Sequence, residues 1–136
     1  MAALQMDTPA TALRNAAYAG DLGQVKGLIL EGVDVNVADQ HRRTALLHAC
    51  ERGHIEVVTV LLAAGAWPDM YEDYDTFDTP LMVAAIHGHL EIVKKLIVAG
   101  ADSSFHVGFS QRTAESHARS YGQMEVADFL ASLRSR

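Results

Sequence analysis

Apolar positions along the chain recur at the spacing of short amphipathic helices. In the segment "HIEVVTVLLAAG" (54–65), Ile55, Val58 and Leu61 follow one another at three-residue intervals, as on one face of an α-helix. The preceding segment, "TALLHACERG" (44–53), begins with a residue suited to a helix N-cap and ends with glycine, which favours a helix C-terminus. The pattern therefore predicts two short consecutive helices.

This helix pair recurs with a period of about 34 residues. Successive threonines of the shared frame lie 33, 35 and 34 positions apart, and a glycine follows each threonine after nine positions. The first helices of the four copies are "TALRNAAYAG" (11–20), "TALLHACERG" (44–53), "TPLMVAAIHG" (79–88) and "TAESHARSYG" (113–122). One copy cannot bury its apolar face alone, so neighbouring copies must stack. We predict one domain over residues 1–136, with repeats at about 9–38, 39–72, 73–107 and 108–133.

The repeated pattern resembles the ankyrin repeat. Residues 79–102, "TPLMVAAIHGHLEIVKKLIVAGAD", match the family signature T-x-L-x-x-A-A-x-x-G-H-[IL]-E-[IV]-V-x-x-L-[LI]-x-x-G-A-D almost throughout, and the other copies match it in part. The resemblance implies an all-α solenoid of four stacked helix-turn-helix units with projecting β-turn fingers. It also implies a concave face, lined by the first helices, that binds a protein partner together with the fingers.

Two departures from the family pattern alter the expected packing. The family often has His three positions after the threonine, whereas this chain has Arg14, Leu47, Met82 and Ser116. Stability is therefore expected to depend more on apolar stacking than is usual in the family. In the last repeat, Glu115 and His117 replace apolar residues, which predicts a more hydrated terminal unit.

Composition and charge limit the classes of partner. The chain has a formal net charge of -6, and no Lys or Arg stands between Arg52 and Lys94, where seven acids occur. Such a surface repels phosphate, so nucleic acid is not expected as a partner. No segment resembles a signal peptide or a membrane span. We expect a monomeric intracellular protein, in the cytoplasm or also the nucleus, that does not bind membranes.

No catalytic arrangement emerges from the sequence. His54 and His89 follow the repeat glycines, where this family commonly has a structural His, and the histidines lack the spacing of known zinc sites. The glycines recur with the repeat and form no phosphate-binding loop. Cys50 occupies a small position inside a first helix, where we expect it to be buried and unreactive. We predict neither an enzyme nor a cofactor.

The segment between the second and third repeats departs most from what the fold requires. "AWPDMYEDYDTFDTP" (66–80) contains five acids and four aromatic residues, and we call residues 66–78 the acidic finger. It spans 14 positions from Gly65 to Thr79, two more than the first finger, which runs 12 positions from Gly32 to Thr44. Trp67 occupies the position of the Asp in "GAD" and is expected to be partly exposed. The finger is therefore predicted to bind a partner.

Weak calcium binding by the acidic finger is an alternative. Its carboxylates supply enough oxygen ligands, but the sharp-turn glycine and distal bidentate glutamate of an EF-hand loop are missing.

The resemblance maps the remaining candidate positions onto the fingers and the ends of the first helices. Trp67 and Tyr71 are the strongest candidates, and the expected partner is a protein or peptide with a basic segment. The other predicted partner-binding residues are His41, Arg43, Arg52, Met70, Tyr74, Asp75, Asp78, Ile86, His87, Phe109, Arg112 and Tyr121. A second alternative is modification: "LILEGVDVN" (28–36) resembles the pattern that asparaginyl hydroxylases recognise in ankyrin-repeat proteins, with Asn36 as the acceptor.

Overall fold

The protein forms a stack of helix pairs. The computed structural model describes residues 8–70, 78–106 and 111–134, which include eight α-helices and no β-strand. The helices are α1 (Pro9–Ala19), α2 (Leu22–Leu30), α3 (Ala45–Arg52), α4 (Ile55–Ala63), α5 (Pro80–Ile86), α6 (Leu90–Val98), α7 (Ala114–Ser120) and α8 (Met124–Arg134). Each predicted repeat contains two of them. The expected all-α solenoid is confirmed.

Two layers of helices enclose one continuous core. The first helices pack in the order α1, α3, α5, α7, and the second helices α2, α4, α6, α8 form the other layer. Leucines and valines of the second helices, such as Leu61 and Val93, are fully buried between the layers. The first helices contact one another more extensively than the second helices do. Small residues such as Ala49 and Ala84 allow this close approach, since both are fully buried.

The N-caps follow the sequence pattern in three repeats and differ from it in the first. The hydroxyl groups of Thr44 and Thr79 accept hydrogen bonds from backbone N–H groups in the first turns of α3 and α5, as predicted. Helix α1 is instead capped by Thr8, three residues before the Thr11 of the shared frame, and Pro9 occupies its first position. The first helix of the stack is therefore longer than its counterparts.

Hydrogen bonds from the start of each second helix connect successive repeats. His54 Nε2 lies 3.0 Å from the carbonyl oxygen of Tyr18, and His89 Nε2 lies 3.4 Å from that of Glu51. In the last repeat, the side chain of Gln123 donates to the carbonyl oxygen of Ile86 at 3.1 Å. The structural role expected for the two histidines is therefore confirmed, and we call these three contacts the inter-repeat ladder.

The positions that lack the family histidine are occupied in different ways. Arg14 Nη1 donates to the carbonyl oxygen of Val37 at 3.0 Å, so in the first repeat this position still links the helix to its finger. Ser116 completes a capping box with Thr113. Leu47 and Met82 are buried, with 0% and 3% relative exposure. This burial agrees with the expectation that the stability of the stack depends more on apolar packing than is usual in the family.

One residue of the last repeat is less hydrated than the sequence predicts. His117 is 9% exposed, and its Nε2 lies 3.8 Å from Oδ1 of Asp78 in the preceding segment. Glu115 is mostly buried, and it accepts a hydrogen bond from Arg134 at 3.0 Å, which connects α7 to the end of α8. The prediction of a hydrated unit was wrong at His117, whose Nδ1 is buried without a hydrogen-bond partner among the described residues, whereas Glu115 is more exposed than its counterparts Leu46 and Leu81.

Three partly buried histidines predict that the protein loses stability in mild acid. Burial is the main cause that lowers the pKa of His48, His89 and His117 below the ordinary value of 6.5. The unfolded chain therefore binds protons at a higher pH than the folded protein does. The free energy of unfolding should be constant above pH 7 and should fall as the pH decreases through 6.5, by at most about 1.4 kcal/mol per pH unit for each histidine.

Urea unfolding at several values between pH 7.5 and pH 5.5 measures this dependence, in a range where few carboxylates titrate. The His117→Gln variant should show a shallower pH dependence than the wild-type protein. Stability that stays constant or rises on acidification would contradict the expectation.

Candidate functional site

Trp67 is exposed and its backbone is held in place. Its relative exposure is 55%, which confirms the sequence prediction. In the neighbouring turns the carboxylates of Asp34 and Asp102 accept hydrogen bonds from the N–H groups two residues further on, a bond that an indole cannot make. The backbone N–H of Trp67 is nevertheless held, because it donates to Oδ1 of Asn36 at 2.7 Å. A rigid backbone therefore presents a large exposed aromatic ring.

Asn36 connects the first finger to the following turn. Besides accepting from Trp67, its side chain donates from Nδ2 to the carbonyl oxygen of Gly65 at 3.1 Å. In the next repeat, Oδ1 of Asp69 accepts from the N–H of Asp102 at 3.0 Å and makes a comparable link. Both polar atoms of the Asn36 side chain therefore have structural roles. Hydroxylation of Asn36 stays a prediction that these contacts do not test.

The two ends of the acidic finger contact neighbouring elements. Near its start, Met70 Sδ lies 3.9 Å from Nη2 of Arg42 in the first finger. At its end, Asp78 approaches His117 and its side chain is only 20% exposed, so Asp78 belongs to the packed base of the finger. Four of the predicted site residues lie outside the described residues: Tyr71, Tyr74, Asp75 and Phe109.

The first finger is ordered by one carboxylate. Oδ1 of Asp39 accepts hydrogen bonds from the backbone N–H groups of His41 and Arg43, at 2.8 and 3.0 Å. The side chain of Arg43 then forms an ion pair with Glu51 of α3 at 3.1 Å. Arg43 is therefore placed beside the end of α3, and the backbone of His41 is fixed within the finger.

Arg52 belongs to a cluster that the sequence prediction did not include. Its guanidinium carbon lies 4.7 Å from the ring centroid of Tyr18, and the Tyr18 ring meets the His48 ring edge-on at 5.7 Å. Tyr18 is 46% exposed at the end of α1, in the repeat register of Glu51 and Ile86. The sequence could have indicated Tyr18 by this register position, because the neighbouring repeats have candidate residues at the same end of the first helix.

The remaining candidates lie towards the other end of the stack. His87 is exposed and stacks on His89 at 5.9 Å between ring centroids, whereas Ile86 is half-buried. Tyr121 is 59% exposed after α7. Arg112 is exposed, and its charge contributes to lowering the pKa of His117 after burial, the main cause. These side chains are distributed along the stack and do not form one compact site.

A reactive thiol and a metal site are two candidate chemistries that the described residues allow to be examined by burial and grouping. Cys50 is fully buried, as predicted, and burial strongly raises the pKa of its thiol. Within 8–70, 78–106 and 111–134, no three His, Cys, Asp or Glu side chains are grouped so as to hold a metal ion. The same ranges contain no helix of the length and apolarity needed to cross a membrane. Calcium binding by the acidic finger stays untested, because most of its carboxylates lie outside these ranges.

Comparison with known proteins agrees with this architecture. The family "Ankyrin repeats (3 copies)" matches residues 13–105 and 69–135. The chain is 46% identical over 55 residues to Ankyrin repeat domain-containing protein 40 of Homo sapiens, over 40% of this chain and 15% of that protein.

Other relatives carry names of different kinds. A probable E3 ubiquitin-protein ligase, XBOS33, of Oryza sativa subsp. japonica is 50% identical over 50 residues, which are 37% of this chain and 10% of the ligase. The mitochondrial disaggregase of Homo sapiens is 42% identical over 65 residues, which are 48% of this chain and 9% of the disaggregase. The chain thus matches a small part of each relative. Because the family match covers most of its length, the chain belongs to the ankyrin-repeat family, whose repeats are generally non-catalytic modules that bind other proteins.

Proposed function

We propose that this chain is a non-catalytic interaction scaffold that binds a protein or peptide through its acidic finger and the adjoining ends of its first helices. In this proposal it acts as an intracellular monomer, and Trp67 is the main anchor of the partner. The Trp67 side chain carries the proposal, because it is 55% exposed on a backbone fixed by Asn36. Exposed aromatic residues on rigid supports are typical anchors of protein interfaces.

The charge of the acidic finger favours a partner with a basic segment. Five acids accompany Trp67 between residues 66 and 80, and this stretch contains no Lys or Arg. Acidic surfaces steer basic partners during association, and the effect decreases as salt screens the charges. A basic segment with an apolar or aromatic side chain would match both the carboxylates and the indole ring.

A comparison of partner binding by three proteins tests this proposal: the wild type, Trp67→Ala, and a Trp67→Ala/Tyr71→Ala double variant. Proteins from the native source that bind the wild type are identified by quantitative affinity purification, and the purified partner is then titrated by calorimetry. We expect each variant to bind at least about tenfold more weakly, as for a hot-spot aromatic residue. Affinity for the wild type should also fall as salt is raised.

Leu30→Ala is the matched control, since Leu30 is 87% exposed and lies outside the proposed surface. This variant should bind the partner as the wild type does. A partner that binds Trp67→Ala and the wild type equally would exclude Trp67 as the anchor. Equal losses in the Leu30 and Trp67 variants would exclude the acidic finger as the specific site.

A further inference from the structure

We propose that Tyr18, His48 and Arg52 form a carboxylate-binding subsite on the face formed by the first helices. The subsite would receive an acidic group of the same partner whose basic segment contacts the acidic finger, so this inference rests on the proposed function. It predicts a partner with charges of both signs, with its acidic group over the first two repeats.

The guanidinium of Arg52 is held against the Tyr18 ring, but its N–H groups remain available to a ligand. It stacks on the Tyr18 ring at 4.7 Å and makes no hydrogen bond or ion pair with another described residue. Stacking on a ring face leaves the N–H groups at the guanidinium edge available, and their planar fork matches the two oxygens of a carboxylate. Because Arg52 is exposed, an incoming acidic group can reach this edge.

The support beneath Arg52 is itself rigid. The Tyr18 ring rests edge-on against His48, whose Nδ1 is buried without a hydrogen-bond partner. The backbone at Tyr18 is held by His54, and the carbonyl of Glu51, next to Arg52, is held by His89. Both elements that carry the subsite are therefore fixed by the inter-repeat ladder. Fixing a side chain before binding reduces the entropy that binding costs.

Local charge favours one negative charge at this position. Among the described residues, Arg14 and Arg43 lie near His48 with Asp39 and Glu51 as the nearby acids, so these four charges balance. Glu51 is moreover paired with Arg43 at 3.1 Å. Burial, followed by Arg43, lowers the pKa of His48 and keeps its ring neutral at pH 7.4. The charge of Arg52 is then the one positive charge without a counterpart in this balance. A single positive charge suits a monoanionic carboxylate better than a dianionic phosphate.

The acidic finger and this subsite would give a bound segment a defined direction. The described acids Asp69 and Asp78 lie between α4 and α5, and their carboxylates contact Asp102 of the third repeat and His117 of the fourth. Arg52 lies at the end of α3 and contacts Tyr18 of the first repeat, towards the other end of the stack. A segment with charges in the opposite order would place like charges together, which costs binding energy.

Small capped amino acids test the subsite without any knowledge of the partner. The probe is N-acetyl-aspartate methylamide, which offers one side-chain carboxylate, and its neutral control is N-acetyl-asparagine methylamide. N-acetyl-leucine offers a chain-terminal carboxylate in a separate arm. Nuclear magnetic resonance follows the Nε–H signals of Arg52 and of Arg119, an exposed reference that contacts Glu115 and Asp128.

We expect the aspartate probe to shift the Arg52 signal saturably, with millimolar affinity, and to bind about tenfold more tightly than the asparagine control. Tighter binding of N-acetyl-leucine would assign the subsite to a C-terminal carboxylate and would still support it. In Arg52→Lys, followed through the Tyr18 ring signals, the charge remains but the fork is lost, so affinity for the carboxylate should fall about fivefold.

Several results would overturn the subsite. They are the absence of a saturable shift at Arg52, equal shifts at Arg119, equal binding of the asparagine control, and unchanged affinity in Arg52→Lys. The readout does not involve the acidic finger, so Trp67→Ala should leave it unchanged. A failure here therefore leaves the Trp67 result intact, and a failure of Trp67 to anchor a partner leaves this measurement intact.

Discussion

Replacing Gly20 with alanine should lower the free energy of unfolding by about 2–3 kcal/mol, because two costs combine at this residue. Gly20 adopts φ of +78°, a left-handed conformation that costs an L-residue about 1–2 kcal/mol. A Cβ atom there would also lie 2.7 Å from Cε1 and Nδ1 of His54. The ring would have to move, which would break its hydrogen bond to Tyr18, worth about 0.5–1.5 kcal/mol. Urea unfolding followed by circular dichroism measures the loss.

Gly122→Ala separates these two costs. Gly122 has nearly the same backbone angle, φ of +76°, but no atom lies within 4 Å of the position its Cβ would take. This variant should therefore lose only the cost of the left-handed conformation. In a His54→Ala background, the penalty for Gly20→Ala should fall to that of Gly122→Ala. Equal losses for Gly20→Ala and Gly122→Ala in the wild-type background would show that contact with His54 contributes nothing.

The ladder explains why the repeat period predicts the fold so well. The glycine that ends a first helix and the histidine that begins the next second helix are far apart in sequence but meet in the stack, as Gly20 and His54 do. Each repeat therefore encodes both its own helices and its contact with the next repeat. Helix spacing and the caps at Thr44 and Thr79 are local properties of the sequence, so they could be predicted directly.

The features that the sequence predicted wrongly, the start of α1 and the exposure of His117, depend on details outside the repeat pattern. The frame placed the first threonine at Thr11, but the preceding Thr8–Pro9 pair supplies a better cap and first-turn residue and extends α1. His117 is polar by sequence and yet buried, with Asp78 from the segment before it beside its ring. Sequence periodicity describes one element at a time and does not reveal a partner supplied by another repeat.

The candidate site was only partly predictable for the same reason. Exposure of Trp67 follows from its place in the repeat, since the fold has a short polar residue there in the neighbouring turns. The contact of Arg52 with Tyr18 joins two repeats across 34 positions, and no local pattern indicates it. Asn36 shows the same limit, because its bonds to Gly65 and Trp67 are visible only in the stack.

The core between the helix layers should be the most sensitive part of the molecule, and Leu61 is suited to test it. Leu61 is fully buried in α4, in the repeat register of Leu96 and Leu130, which are also buried. Leu61→Ala should lower the free energy of unfolding by about 2–5 kcal/mol, because it removes buried methyl groups and leaves a cavity between repeats. Domains of this size are stable by only about 5–15 kcal/mol, so urea unfolding should detect the loss easily.

Leu30→Ala provides the matched control for this core substitution. It makes the same chemical change on the second helix of the preceding repeat, but at a side chain that is 87% exposed. Its effect on the free energy of unfolding should stay within about 0.5 kcal/mol of zero, as for surface substitutions generally. The difference between the two losses then measures mainly burial, since alanine and leucine are both strong helix formers and the exchange alters helix propensity little. Equal losses at Leu61 and Leu30 would mean that the burial of Leu61 in the core contributes no more to stability than an exposed leucine does.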